Sequence, residues 1–250
     1  MPPIKGQHVL VIGGSTGIGL AVAQLAASEG LVVSLASSNQ SRVSAAVSQI
    51  QASVPGAAVA GYVCDVNTDD AESNLEQLFA DVVRAASGRQ LDHVVYTAVT
   101  LDVRPVSEVS AGYLRDSVQF AYVVPLLIGK LAPRYVRGAY TSSLTLTSGR
   151  LGQRPLPGMS VPSGWGASLF GTMRGLALDL APIRVNLVSP GLVDTRLINE
   201  WRDQLTAMAK ASLLGKIGTP EEVAEAYIYL MKDTNATGSA VSTNGGALVQ

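Results

Sequence analysis

Residues 13–19 form a glycine-rich stretch whose residue types and spacing could hold phosphate groups. An apolar, β-branched run at residues 9–12 precedes it and predicts a buried parallel strand. Apolar residues then recur at helical spacing from Gly17 until Gly30, which predicts a helix. The glycines allow a sharp turn and a close approach to a ligand, and the helix N-terminus favours an anion. The candidate ligand-holding residues are Gly13, Ser15, Thr16, Gly17, Ile18 and Gly19.

The pyrophosphate of a dinucleotide is the predicted occupant of this turn. The alternative is a glycine-rich turn that binds nothing. A lone glycine motif would leave the two interpretations nearly equal, but here strand, turn and helix follow one another in the required order.

A second polar stretch follows the next predicted strand, residues 31–36, and contains Ser37, Ser38 and Arg42. In dinucleotide-binding folds an acidic residue at this place binds the ribose 2′-hydroxyl, whereas hydroxyls with an arginine accommodate a 2′-phosphate. Residues 31–51 contain no acid. The stretch therefore favours NADP(H) over NAD(H); a solvated polar loop with a surface arginine is the alternative.

The remaining pattern alternates strands with helices and contains no repeat or linker, which predicts one α/β domain over residues 1–250. The expected architecture is a single-domain Rossmann fold, a doubly wound parallel sheet with right-handed crossovers. Strands are predicted at 58–64, 91–99, 141–148, 183–188 and 240–242, and helices at 43–52, 70–87, 111–131, 166–180 and from Thr219.

Composition limits the partners. A formal net charge of -1 and the absence of a basic stripe argue against nucleic acid. The longest apolar run, residues 120–129, is interrupted by Pro125 and is too short to span a bilayer, so no membrane association is expected. Cys64 is the only cysteine, which fits a cytoplasmic protein, and the two histidines have no metal-ligand spacing, so no metal site is predicted.

The chain resembles the short-chain dehydrogenase/reductase family over nearly its whole length. The resemblance rests on the glycine turn and on the stretches 64–66, 91–92, 175–182, 183–191 and 245–246. By this resemblance Asp65 and Val66 would hold the adenine, and Val193 and Thr195, after Pro190 and Gly191, would hold the nicotinamide end. Where the family has Asn-Asn-Ala-Gly after its fourth strand, this chain has Tyr96-Thr97-Ala98-Val99, and Thr97 and Ala98 are assigned to the cofactor site as well. A small-molecule substrate is implied.

The catalytic positions depart from the family. Ser148 matches the family serine after the fifth strand, and Gln119 stands where a catalytic asparagine is expected. The family's Tyr-x-x-x-Lys pair is missing, since no tyrosine lies between Tyr140 and Tyr227 and no lysine between Lys130 and Lys210. Counting from one side puts Val161 and Trp165 at the two positions; counting from the other side puts Pro162 and Gly166 there.

In the family the lysine lowers the tyrosine pKa, and the tyrosine gives a proton to the carbonyl oxygen. Hydride donation comes from the cofactor itself, so it can continue without the tyrosine and the lysine. A carbonyl reduction would need another acid, whereas an iminium already carries its positive charge. In lacking this pair, the chain is similar to a fungal subgroup, the reductase/Diels–Alderases of indole alkaloid pathways, which reduce an iminium with NADPH.

Trp165 and Ser148 are the candidate catalytic residues, Trp165 because its ring could face a substrate cation and because the subgroup also has a tryptophan there. Where the subgroup has a nearby acid, this chain has Pro162, which leaves the proton donor unassigned. We therefore expect an NADP(H)-dependent reductase of a bulky iminium or carbonyl compound, with cyclisation as a coupled step. The alternatives are a non-redox cyclase or isomerase and an inactive nucleotide-binding module.

Substrate specificity is expected in loops 97–110, 149–165 and 192–215. The predicted helices 111–131 and 166–180 are unusually apolar, and family relatives pair through the equivalent helices. A homodimer or homotetramer is therefore expected.

Overall fold

A computed structural model of the chain describes residues 2–201, 209 and 212–249. These residues form a parallel sheet whose strands are β1 (His8–Ile12), β2 (Val32–Ser37), β3 (Val59–Val63), β4 (His93–Tyr96), β5 (Ser143–Thr147), β6 (Arg184–Pro190) and β7 (Ala240–Thr243). The strand order is β3-β2-β1-β4-β5-β6-β7, and every pair is parallel. The order reverses between β1 and β4, as a doubly wound Rossmann sheet requires. The predicted fold is confirmed.

Helices cover both faces of the sheet. They are α1 (Gly17–Ser28), α2 (Gln40–Ser53), α3 (Ala71–Ala85), α4 (Ala111–Ser117), α5 (Val124–Tyr135), α6 (Ser160–Asp179) and α7 (Pro220–Lys232). One buried apolar cluster joins the sheet to α3, α5 and α6, and the other joins it to α1, α2 and α7. Every residue of β1, β4 and β6 is buried, because helices lie on both faces of these central strands. In the described part of the chain, no helix combines the length and apolar character needed to cross a membrane.

The helix predicted over residues 111–131 is divided. α4 ends at Ser117, a π-helical turn occupies Gln119–Val123, and α5 begins at Val124 and continues to Tyr135. Pro125 has no backbone N–H to give to the preceding turn, so the wider turn forms where an uninterrupted helix was expected. The prediction of one continuous helix is wrong, and the π turn directs Phe120 and Ala121 toward the site described below.

α6 begins at Ser160, six residues before its predicted start at 166, so the last part of the predicted loop 149–165 is helical. Pro162 and Gly164 favoured a loop. A proline in the first helical turn has no intrahelical N–H bond to lose, and it is tolerated there. Ser163 N–H donates to Met159 O at 2.9 Å, which closes the first turn. Trp165 therefore lies on a helix.

β4 ends at Tyr96, three residues before the predicted end at 99. Thr97 and Ala98 thus leave the sheet at its carboxyl edge, the edge at which ligands bind in folds of this type.

Candidate active site and cofactor cleft

The glycine turn packs tightly against the end of β4. A Cβ on Gly13 would lie 2.5 Å from Ala98 N, and one on Gly19 would lie 2.2 Å from Gly13 O and 2.5 Å from Thr97 Oγ1. Gly13 has φ +91°, in the left-handed region that favours glycine. The glycines at 13 and 19 are therefore required by the folded turn itself.

The N-terminus of α1 fits an anion. Its N-cap, Thr16, makes no side-chain capping bond, and its first turn contains no acidic residue. The first backbone N–H groups of this 12-residue helix have no intrahelical acceptor, and the dipole makes them a positive end. Ser15 is buried beside them. The sequence-predicted phosphate residues thus form one cradle, whose donors match a pyrophosphate.

The predicted 2′-phosphate residues also lie together. At the end of β2, Arg42 Nη2 donates to Ser38 Oγ at 3.5 Å, and both side chains are exposed. Asn39 caps α2 by accepting from Arg42 N–H at 2.9 Å, which fixes the backbone that carries the guanidinium. A hydroxyl and a cation at the end of β2, with Ser37 preceding them, suit a phosphate monoester.

Asp65 and Val66 follow β3 at the same edge of the sheet. The Asp65 carboxylate accepts from Asn67 N–H at 2.9 Å, and Val66 is buried. The amide nitrogen of Gln119 donates to Val66 O at 2.9 Å. Gln119, predicted from the resemblance to stand for a catalytic asparagine, thus bonds the loop that follows β3 and does not line the cavity described below.

The segment after β6 reaches the glycine turn from the other half of the sheet. A Cβ on Gly17 would lie 3.2 Å from Thr195 Cγ2, so the two predicted cofactor segments are neighbours. Backbone bonds fix this segment, since Gly218 N–H donates to Leu192 O and Asp194 N–H donates to Gly218 O, both at 2.9 Å. Val193 is buried between these bonds.

A cavity of about 380 Å³ opens beside these residues, at the carboxyl ends of β4, β5 and β6. Most of its wall is apolar. Its lining includes the predicted cofactor residues Ile18, Thr97, Ala98, Pro190, Gly191, Val193 and Thr195, the predicted catalytic residues Ser148 and Trp165, and the substrate-side residues Phe120, Leu151, Leu156, Met159, Pro162, Gly166 and Leu169. The structure therefore brings both predicted groups to one place. The predicted substrate segment 192–215 includes residues 202–208, 210 and 211, which lie outside the described residues.

Pro162, Trp165 and Gly166 line the cavity where the resemblance places the tyrosine and lysine, and Val161 does not line it. A short 3₁₀ turn, Arg150–Gly152, lies directly on this part of α6. A Cβ on Gly152 would be 2.5 Å from the carbonyl carbon of Gly166, and a Cβ on Gly166 would be 3.2 Å from Gly152 Cα. The close backbone contact closes the space into which a side chain at position 166 would extend.

The hydroxyls of Ser148 and Thr147, at the end of β5, are already engaged. Ser148 Oγ donates to Gly166 O at 2.8 Å, so its proton is committed to α6 and only its lone pairs face other groups. Thr147 Oγ1 donates to Tyr96 O at 2.6 Å and lies 2.7 Å from the Tyr227 hydroxyl. Burial raises the pKa of both Tyr96 and Tyr227. Neither tyrosine is among the residues that line the cavity.

Sequence reasoning missed Arg150. It is the one ionisable side chain among the described residues that line the cavity, and it is partly buried. Burial, and secondly the nearby Arg154, lower the pKa of its guanidinium, which nevertheless stays charged. The signal in the sequence was a lone arginine between Gly149 and Gly152 in a predicted substrate loop.

Comparison with known proteins agrees with this geometry. A family model described as an SDR-like Rossmann domain matches residues 4–250. The short-chain dehydrogenase/reductase ATR9 of Stachybotrys chlorohalonatus is 48% identical over 254 residues, covering 100% of both chains. The short-chain dehydrogenase/reductase malC of Malbranchea aurantiaca is 36% identical over 257 residues, covering 99% of this chain and 96% of its own.

The solved structure of the MalC reductase/Diels-Alderase superposes with a TM-score of 0.92 and covers 99% of this chain and 98% of its own. The family's fold binds a nicotinamide cofactor, in agreement with the cleft described above. The chain therefore belongs to the short-chain dehydrogenase/reductase family of oxidoreductases.

Proposed function

We propose that the protein is an NADPH-dependent reductase that acts on a cationic C=N bond of a bulky natural-product intermediate, without the family's Tyr/Lys relay. The observation that carries this proposal is the cavity lining. Its described residues include no Asp, Glu, His, Lys or Tyr, and the one ionisable group, Arg150, does not release a proton at neutral pH. A substrate that needs no proton fits such a wall.

The cofactor would be held by the cleft already described. The α1 N-terminus takes the pyrophosphate, Ser38 and Arg42 take the 2′-phosphate, and Asp65 and Val66 take the adenine. Thr97, Ala98, Val193 and Thr195 border the cavity and would hold the nicotinamide end. NADPH supplies a hydride when it is bound.

An iminium carbon accepts hydride while the electron pair of the C=N bond moves to nitrogen, which neutralises the cation. No proton is consumed. A ketone would leave an alkoxide that must be protonated, and Ser148 Oγ has its proton committed to Gly166 O. The chain's own contribution is then to exclude water and to orient the acceptor.

The presence of Trp165 favours a cationic substrate, because an electron-rich indole stabilises a nearby cation by about 0.5–2 kcal/mol. It is partly buried, packs on the core cluster beneath α6, and lines the cavity. The alternative role is an apolar plug that fills the space left by the missing pair. Replacement of Trp165 separates the two roles, as described in the Discussion.

Cyclisation coupled to reduction is a second candidate activity. It is favoured by the similarity to MalC, whose solved structure is described as a reductase/Diels-Alderase, over 99% of this chain. A large apolar cavity could fold a flexible product into one reactive shape. Product formation without oxidation of NADPH would identify a non-redox cyclase. A protein that neither forms a product nor oxidises NADPH with the acceptors tested would be an inactive module.

The test of the proposal compares two bicyclic acceptors of matched shape. N-methyl dihydroisoquinolinium is a fixed cation, and α-tetralone is a ketone. We expect oxidation of NADPH with the iminium and little with the ketone, as followed by cofactor absorbance. Preferred reduction of the ketone would refute the iminium assignment.

We also propose a cytosolic homo-oligomer. Exposed apolar side chains lie on α4, the π turn, α5 and α6, namely Leu114, Tyr122, Leu126 and Leu178. A second copy would cover this surface. Cys64 is buried and unpaired, and burial raises its pKa to about 11, which fits a reducing compartment. Light scattering at micromolar concentration should give a dimer or tetramer, and a monomer would count against the assembly.

A further inference from the structure

A second chamber of about 410 Å³ adjoins the cavity, and the two share Arg150, Leu156 and Leu192 as lining residues. The other wall of this chamber comes from Arg154 and from the segments before α7 and after β7, with Lys216, Gly218, Glu222, Thr243, Asn244, Gly245 and Ala247 among its lining residues. Because these three residues border both chambers, the chambers are neighbours, and an elongated molecule in the first could place its far end in the second.

The chamber carries an excess of positive charge. Its lining contains Arg150, Arg154, Lys216 and one carboxylate, Glu222. Glu222 is occupied, since it forms an ion pair with Lys216 and accepts from Thr219 N–H at 2.9 Å. The Lys216 hydrogen bond and then the Thr219 backbone bond lower the pKa of Glu222, so it stays an anion bound to those partners.

Among the described residues, neither guanidinium has such a carboxylate partner. Arg154 donates to Ala247 O at 3.2 Å, and within the described ranges the Arg150 side chain has no hydrogen bond or ion pair. Burial, and secondly the charge of Arg154, lower the pKa of Arg150. A partly buried, unpaired guanidinium is costly unless an anion or a strong acceptor meets it.

Two further lining residues retain buried polar atoms with no partner in the described part of the chain, Ser212 Oγ and Asn244 Nδ2. Asn244 Oδ1 accepts from Gly246 N–H at 3.1 Å, which leaves its NH₂ group as the unused donor. Both atoms are enclosed, so a ligand oxygen would reach them only after side-chain rotation. They add unused hydrogen-bonding capacity beside the two guanidiniums.

Arg150 also sets a condition on the substrate of the proposed reaction. A guanidinium on the wall of a low-dielectric cavity repels a cation, whereas Trp165 on the same wall attracts one. The two demands are met together by a molecule with a cationic reducible end and an anionic oxygen at its other end.

We propose that the second chamber binds the carboxylate of the substrate, with Arg150 as its main partner, and that the substrate is therefore a zwitterion. This inference rests on the proposed iminium reduction. It names the charge of the part of the molecule that lies away from the reacting carbon, and it assigns Arg150 a role in specificity.

The test uses two iminium probes that differ in one group. Both are dihydroisoquinoliniums with a short N-alkyl chain, which ends in a carboxylate in one and in its methyl ester in the other. A charge-assisted hydrogen bond to carboxylate contributes ~1.5–3 kcal/mol. We expect the carboxylate probe to bind the wild-type protein roughly ten- to a hundredfold more tightly than the ester, as measured by isothermal titration without cofactor.

Arg150→Gln should abolish this preference, and it should leave the binding of the ester unchanged or improve it, because the repulsion of the cation is removed. Arg150→Lys should retain part of the preference. Arg84→Gln, an exposed arginine on α3 that lines neither chamber, is the matched control and should behave as wild type.

Equal binding of the two probes by the wild-type protein would overturn the inference without any variant. An unchanged preference in Arg150→Gln, or an equal loss for both probes, would also overturn it. Because binding is measured without NADPH, a protein that prefers the carboxylate probe but reduces neither probe would contradict the proposed reaction and leave the carboxylate site standing.

Discussion

Two pairs of glycines in this molecule allow close backbone contacts, one pair on each side of the cleft. Gly13 and Gly19 lack side chains so that the end of β4 can approach the first turn, and the space beside that turn stays open for a phosphate. Gly152 and Gly166 lack side chains where the turn after β5 lies on α6, and a Cβ at either position would press on the backbone of the other. The first pair belongs to the predicted cofactor side of the cleft, whereas the second lies on the substrate side, whose described lining contains no tyrosine or lysine.

Under the proposed function, the difference between the two regions indicates which part of the reaction the protein would perform. The glycine turn would hold the hydride source, and a wall whose described residues include no Asp, Glu, His, Lys or Tyr would exclude acceptors that need a protein proton. Each change below disturbs one side of the cleft and leaves the other in place.

The largest effect is expected from Gly19→Ala. The new Cβ would lie 2.2 Å from Gly13 O, a backbone atom that cannot move without opening the turn. Overpacking of this kind costs roughly 1–3 kcal/mol or more, so the melting temperature should fall and NADPH affinity should be lost. Gly164→Ala is the matched control, because that exposed helical glycine has open space around it. It should gain about 0.5–1 kcal/mol, and wild-type behaviour of Gly19→Ala would contradict the cradle.

Arg42→Ala tests the cofactor side at its outer end. Loss of a charge-assisted contact of ~1.5–3 kcal/mol should weaken NADPH binding roughly ten- to a hundredfold and leave NADH binding nearly unchanged. Titration of both nucleotides with wild type and variant supplies the internal control. An equal loss of affinity for the two nucleotides would contradict the assignment of Arg42 to the 2′-phosphate.

Trp165→Leu tests the substrate side. If the indole faces a substrate cation, kcat/KM for the iminium should fall about two- to thirtyfold, mainly through a higher KM because hydride transfer neutralises the cation, with NADPH affinity intact. Trp165→Phe should recover part of the rate because it keeps an aromatic face. An equal loss with α-tetralone would instead indicate an apolar plug.

Ser148→Ala should have a smaller effect on the same rate, since its hydroxyl bonds α6 and has no proton left for the substrate. The variant is expected to lose about 0.5–1.5 kcal/mol of stability, the usual contribution of one such bond. A loss of turnover larger than that of Trp165→Leu would show that Ser148 takes part in the chemistry.

How far the sequence predicts this molecule depends on the range of the interaction that decides each feature. The β1–turn–α1 unit is local, and a doubly wound parallel sheet follows from the alternation of strands with helices, so both are predicted correctly. The early start of α6 at Ser160 accompanies contact of the helix with the turn Arg150–Gly152, and the π turn at Gln119–Val123 precedes Pro125, so neither follows from apolar spacing alone.

The register of the missing pair shows the same limit. Counting along the chain left Val161 with Trp165 and Pro162 with Gly166 as alternatives. Trp165, Pro162 and Gly166 all line the cavity, so each alternative places at least one residue on its wall. Arg150 was missed because a single loop arginine carries no pattern. Its importance depends on the two chambers that it separates.

The double variant Pro162→Tyr/Gly166→Lys should not increase the rate with the iminium. A side chain at 166 would press on the backbone of Gly152, and the iminium needs no proton relay. We expect a rate at or below that of wild type and a lower melting temperature. A large gain with α-tetralone or a related ketone, from a folded variant, would mean that the natural acceptor is a carbonyl.

The pH dependence of kcat/KM for the iminium tests the central claim most directly. Burial lowers the pKa of both histidines, that of His93 to about 3, and both therefore stay neutral at neutral and alkaline pH. The described cavity lining adds no group that titrates near neutrality. Reduction by hydride transfer alone then predicts a flat profile between about pH 7 and 9, in the range where a general acid would produce a break. An alkaline fall in kcat/KM would reveal a protein proton donor and contradict the claim.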